Sequence, residues 1–199
     1  MNDLAPIQTA HRARYLTLKQ PGELLVGRAN RFAAEGATRI AWGMPPPDPA
    51  SVRHLHLEPT AAQAGRARLP DWVVGLPALE SLVIPATFLH DAAERGVLQR
   101  LRALSALYDA ERVGPPALMR WPAGTLPALR ALSLVGLGTT SGVEWSAVGV
   151  TSARTPGLEF LRADVDKAGG VLSAFADAEA LLHAELDGVK DVDALSLLP

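Results

Sequence analysis

Apolar residues in this chain recur as Leu-x-Leu pairs enclosing a polar or small residue. The stretch "LPDWVVGLPALESLVIP" places Leu69, Leu76, Leu79, Leu82 and Ile84 at gaps of seven, three, three and two. Neither a helical nor a strand period covers that spacing, yet its end, Leu82 and Ile84, is a strand signal. The arrangement returns in "LQRLRALSALYD" with Leu98, Leu101, Leu104 and Ala106, and in "LPALRALSLVG" with Leu126, Leu129, Leu132 and Leu134. It returns again in "TPGLEFLRADVD" with Leu158, Leu161 and Ala163, and in "LLHAELDG" with Leu181, Ala184 and Leu186. Upstream, "VRHLHLEP" supplies Val52, Leu55 and Leu57. Weaker copies are "ATRIAWG", with Ile40 and Trp42, and "RYLTLK", with Leu16 and Leu18.

Taking one residue of each pair as reference gives positions 55, 82, 104, 132, 161 and 184, hence steps of 27, 22, 28, 29 and 23 residues. Steps of this size mark a repeat whose unit is one coil. In each Leu-x-Leu strand both leucines point one way and the middle residue points the other. One coil cannot cover its own leucines, so each must stack on the next. The step from 40 to 55 is only 15 and passes through "GMPPPDPA", whose prolines exclude a helix and predict an extended link.

The pattern resembles the leucine-rich repeat family from roughly Val52 to Val189, most closely in "LPDWVVGLPALESLVIP", where Val73 takes one leucine position. The resemblance implies an α/β leucine-rich-repeat solenoid, a horseshoe with a parallel concave sheet and helices or irregular links on the convex side. It implies one domain over 1–199, with irregular N-terminal cap coils in 1–51, repeats in 52–189 and a C-terminal end in 190–199. One departure concerns the position five residues after each reference, where the family usually carries an asparagine bonded to backbone between coils. Here the residues are Thr60, Thr87, Asp109, Leu137 and Asp166. Threonine donates one hydrogen bond, ionised aspartate only accepts and leucine does neither. The backbone between coils must then be satisfied in other ways.

Some links read as helices. "GELLVGRANRFAAEG" puts Leu25, Ala29, Phe32 and Ala33 on one face and ends at Gly36, a C-cap candidate. "FLHDAAERGVLQRL" follows Thr87 as an N-cap, with Phe88, Ala92 and Leu98 turned inward. "GGVLSAFADAEALLH" turns Leu172, Phe175, Ala176 and Glu179 inward. Shorter links are expected to be turns or 3₁₀ pieces.

Composition narrows the function. Nearly half of the 199 residues are apolar but only 5% are aromatic, which suits many small repeated contacts. A formal charge of -2 with scattered arginine gives no basic footprint for nucleic acid. There is no cysteine, hence no disulfide framework and no cysteine-based zinc site. The N-terminus lacks a signal-peptide pattern and no apolar run reaches the ~20 residues of a membrane helix, so a cytoplasmic chain is expected.

The strand residues that point away from the leucines form the candidate contact surface. They are Tyr15, Thr17 and Lys19; Arg39 and Ala41; His54, His56 and Glu58; Ser81, Val83 and Pro85; Ala103, Ser105 and Leu107; Ala131, Ser133 and Val135; Phe160, Arg162 and Asp164; then His183, Glu185 and Asp187. Small apolar residues fill the centre while charge and histidine lie at the ends, the layout of a dry interface with a polar rim. The expected function is protein recognition without catalysis or cofactor, through His54, His56, Glu58, Val83, Ser105, Ser133, Phe160, Arg162 and Asp164 on the concave face. The opposing structural reading is that the small residues serve tight strand packing and that a loop covers the centre.

Other chemistry is sparser. His54, His56 and Glu58 share one strand face, a geometry that suits a metal-dependent binder or small enzyme, but no third close ligand beyond them is secured. "GLGTTSG", from Gly136 to Gly142, lacks the lysine of a phosphate loop and reads as a turn. Asp164 and Asp166 lie two apart, with Asp166 expected at a coil corner. Trp42, Trp72 and Trp121 are assigned to packing, and Trp145, in the long link after "TTSG", is the one to check for exposure. The terminal "ALSLLP", with Leu195 and Leu197, offers an edge for self-association.

Overall fold

The computed structural model describes residues 23–27, 38–59, 63, 68–108, 121–136, 145–165 and 168–188. Within them lies one eight-stranded sheet in which every neighbouring pair is parallel. The strands are β1 (Glu23–Gly27), β2 (Thr38–Ile40), β3 (His54–Glu58), β4 (Ser81–Pro85), β5 (Ala103–Leu107), β6 (Ala131–Val135), β7 (Phe160–Asp164) and β8 (His183–Asp187). Their order is β2-β1-β3-β4-β5-β6-β7-β8, so from β3 onward each strand pairs with the next in sequence. Short helices and 3₁₀ turns fill the links, giving an α/β fold.

Register follows the leucine spacing. Leu55, Leu82, Leu104, Leu132, Leu161 and Ala184 stand opposite one another across six strands. Through β7 this row and the neighbouring row of Leu57, Ile84, Ala106, Leu134 and Ala163 are fully buried in one core. Each buried leucine adds on the order of 2 kcal/mol to the favourable side of folding. The linking residues Leu69, Val73, Leu76 and Leu79 also enter that core, so the stretch "LPDWVVGLPALESLVIP" supplies both a link and a strand to it.

A second row explains how the coils are stacked. The residues just before β3 to β7 are Arg53, Glu80, Arg102, Arg130 and Glu159. Each carbonyl accepts two N–H groups from the next coil, as Arg53 O does from Glu80 N and Ser81 N at 2.9 and 3.0 Å. Side chains in this row pair by charge, Arg53 with Glu80 and Arg130 with Glu159.

The N-terminal expectations need correction. Glu23–Gly27 is a strand between β2 and β3, where a helix was expected. Its apolar run, "LLV", suits an interior parallel strand as well as a helix face, and periodicity cannot separate the two. β2 ends at Ile40, so Trp42 lies beyond the strand, its ring 5.6 Å from that of Phe88. The proline segment holds turns and a 3₁₀ piece at Pro49–Ser51, capped by Asp48 Oδ1 accepting from Ala50 N. The Leu16/Leu18 pair with Tyr15, Thr17 and Lys19, Gly36 and the Leu195/Leu197 pair lie outside the described residues.

Among the described residues the later links hold the short helices α1 (Asp71–Val74), α2 (Leu89–Glu94), α3 (Trp145–Val148) and α4 (Ala168–Ala174). Phe88, Ala92 and Leu98 are buried as the spacing predicts. Thr87 is not the N-cap of α2: it sits inside a 3₁₀ turn with a buried, unpartnered hydroxyl. The helix closes on Gly96 at φ +72°, with Val97 N donating to Ala92 O and Gly96 N to Ala93 O. In α4 the inward residues are Ala168 and Val171, followed by Phe175, while Ala176 and Glu179 are exposed. The helix begins and ends earlier than its apolar pattern suggested, which rotates the buried stripe. Trp145 is buried, not exposed, and its Nε1 donates to Val150 O at 3.0 Å.

Candidate functional site

The face of the sheet away from the leucines carries the predicted contact residues, brought into rows by the register. One row runs His56, Val83, Ser105, Ser133, Arg162 and Glu185; a second runs His54, Ser81, Ala103, Ala131, Phe160 and His183. The nine predicted residues therefore share one face. Solvent does not reach all of them. Val83, Ser105, Ser133 and Phe160 are buried, which removes them from the surface a partner meets in this conformation. Strand parity fixes the direction of a side chain and says nothing about what shields it. His54, His56, Glu58, Arg162 and Asp164 are half-buried and remain reachable.

At the N-terminal end of the face, His56 Nε2 lies 3.6 Å from Glu58 Oε1. Burial pushes the His56 imidazolium down to about 4. His54 is lowered too, first by burial, with Glu80 opposing and Arg53 assisting, and its Nδ1 is buried without a partner. Neutral imidazoles suit a metal, but among the described residues no three His, Asp or Glu side chains are grouped to hold one.

The C-terminal end is richer. Arg162 Nη1 lies 3.0 Å from Glu185 Oε2, while its Nη2 and Nε donate to Asp187 Oδ2 at 2.6 and 3.0 Å. His183 Nε2 lies 3.3 Å from Glu185 Oε1, and its ring stacks on Phe160 at 5.4 Å. Asp164 Oδ2 accepts from Gly136 N at 3.3 Å, so it ties two coils at the corner assigned to Asp166, which lies outside the described residues. Two carboxylates, Glu185 and Asp187, hold the Arg162 guanidinium, and a third, Asp164, lies two residues along the same strand face. Arg162 is 23% exposed and Asp187 52%, so the acidic groups are the more accessible. His183, Glu185 and Asp187 follow from the same parity that selected Arg162, and the signal for joining them is their position one strand on.

Arginines in the links supply bonds to neighbouring backbone carbonyls. Arg95 Nη1 donates to Leu69 O at 2.9 Å, and Arg100 Nη2 to Val74 O at 2.9 Å. Arg130 Nη1 reaches Pro127 O at 2.8 Å and Gly157 O at 3.3 Å, and Arg154 Nη1 reaches Pro122 O at 3.4 Å. Of the five asparagine-equivalent positions only Thr87 is described.

Comparison with family models, curated proteins and solved structures returns no match to this chain. Among the described residues no helix is long and apolar enough to cross a membrane.

Proposed function

We propose that this chain is a non-catalytic, cytoplasmic protein-recognition module built as a leucine-rich-repeat solenoid, its strand face concave and its helical links convex. The repeated register of Leu55, Leu82, Leu104, Leu132 and Leu161 supports the architecture. The recognition surface is the polar C-terminal part of the strand face. The observation that carries this is the Arg162–Glu185–Asp187 cluster with Asp164 and His183 beside it, held in place by ion pairs yet open to solvent. Its surplus of carboxylates fits a partner protein that presents lysine or arginine.

A photo-crosslinking residue at Glu185 or Asp187 tests the surface. It should label a partner of different mass from the source extract, while the same residue at exposed Asp177 in the α4–β8 link should not. Labelling from Asp177 alone, or equal labelling from both, moves the interface off the strand face.

A further inference from the structure

We propose that β8 pairs antiparallel with β8 of a second copy of this chain, with the two-fold axis passing through Ala184. The first observation is that the core is unfinished there. Every equivalent of Ala184 from Leu55 to Leu161 is buried, whereas Ala184 is exposed and Leu186 only half-buried. Among the described residues no strand follows β8 in the sheet.

The second observation is Leu182. It occupies the row filled by Arg53, Glu80, Arg102, Arg130 and Glu159, and its N–H likewise donates to the preceding carbonyl, Glu159 O. Where five coils carry charge, the last carries a leucine 81% exposed. The strand also has neither the proline nor the lysine that commonly protects a sheet edge.

The third observation is self-complementarity. His183 N donates to Glu159 O, and Asp187 O accepts from Val165 N, so the odd-numbered residues bond to β7. By alternation the backbone groups of Ala184 and Leu186 point outward. With Ala184 on the axis, the two copies of Ala184 exchange both their hydrogen bonds. Leu186 N–H then meets Leu182 O of the other copy, giving about four backbone bonds in all. On the core side Leu182 lies opposite Leu186; on the other face His183 lies opposite Glu185. The pairs 184/184 and 182/186 are thus apolar on apolar and 183/185 is base on acid, while Asp187 at the strand end falls opposite Leu181. A neighbouring strand of another protein would have no such built-in match. The inference stands apart from the recognition role, because a crosslink at twice the chain's own mass reports self-association and one at any other mass reports a partner.

The test is sedimentation of the full chain over a wide concentration range, with three variants. The chain should dimerise. Ala184→Pro deletes an outward N–H while leaving every bond to β7, so the monomer should keep its circular dichroism and lose the dimer. Leu182→Arg restores the charge of its row at an exposed site and should weaken dimerisation roughly tenfold or more. In this cysteine-free chain, Ala184→Cys should form a disulfide-linked dimer on oxidation, since the paired Cα atoms come within about 5.5 Å. A chain that stays monomeric overturns the proposal and leaves the edge for a strand of another protein. A dimer that survives both Ala184→Pro and Leu182→Arg overturns it as well.

Discussion

His56 is held neutral by its surroundings: burial lowers it to about 4, and the Glu58 carboxylate 3.6 Å away does not reverse this. The unfolded chain, with an imidazole near 6.5, binds more protons between those two values, so stability must fall as pH drops through that window. At pH 5 the loss from this one group is about 2 kcal/mol. His54, lowered by the same cause, acts in the same direction. Urea unfolding at pH 7 and pH 5 should show this loss in the native chain and a smaller one in His56→Gln, which has no proton to gain. Equal losses in the two proteins would contradict it. The alternation of strand residues placed His56 on the right face, as it placed Val83, Ser105 and Ser133. What it could not supply was their burial, because shielding depends on neighbours far away in sequence. The cost is visible at Ser105 and Ser133, whose hydroxyls are buried without partners.

Between elements, Arg130 and Gly157 form one device. A Cβ at Gly157 would come within 1.9 Å of Arg130 Nη1 and 3.1 Å of Pro127 O, so the glycine leaves the slot through which the guanidinium crosses to the next coil. Gly157→Ala should displace Arg130 and cost about 1 kcal/mol, discounted because Arg130 is partly exposed. Arg130→Ala should cost about the same. The double variant should lose little more than either alone, since both changes remove the same bonds. Additive losses in denaturant titrations would separate the two residues. Such clamps were hidden in the sequence: a link arginine reads as a solvated charge until the fold puts a carbonyl within its reach. The charged row was more legible, for Arg53, Glu80, Arg102, Arg130 and Glu159 each stand two residues before a reference position. The error at β1 has a different origin, since three consecutive apolar residues carry no period at all.

Across the described residues, each strand from β4 to β8 meets only its sequence neighbours in the sheet, so stability is a chain of local interfaces, enclosed in the middle and more exposed at β8. The leucine spacing alone exposed this arrangement, because six Leu-x-Leu-type pairs at steps of 22 to 29 residues through a parallel sheet demand one shared register. It could not show how well β8 is covered, since that depends on what packs against it. Leu132 and Leu186 measure the difference. Leu132 is flanked by Leu104 and Leu161 and fully enclosed, so Leu132→Ala leaves a cavity and should cost about 3 kcal/mol. Among the described residues Leu186 has a neighbouring strand on one side only, and it is half-buried, so Leu186→Ala should cost less than about 1 kcal/mol. Both are best measured at low concentration in the Leu182→Arg background, where pairing with a second copy is weakened. If the two losses were equal, the core would extend past β8, and the unfinished edge on which self-pairing depends would not exist.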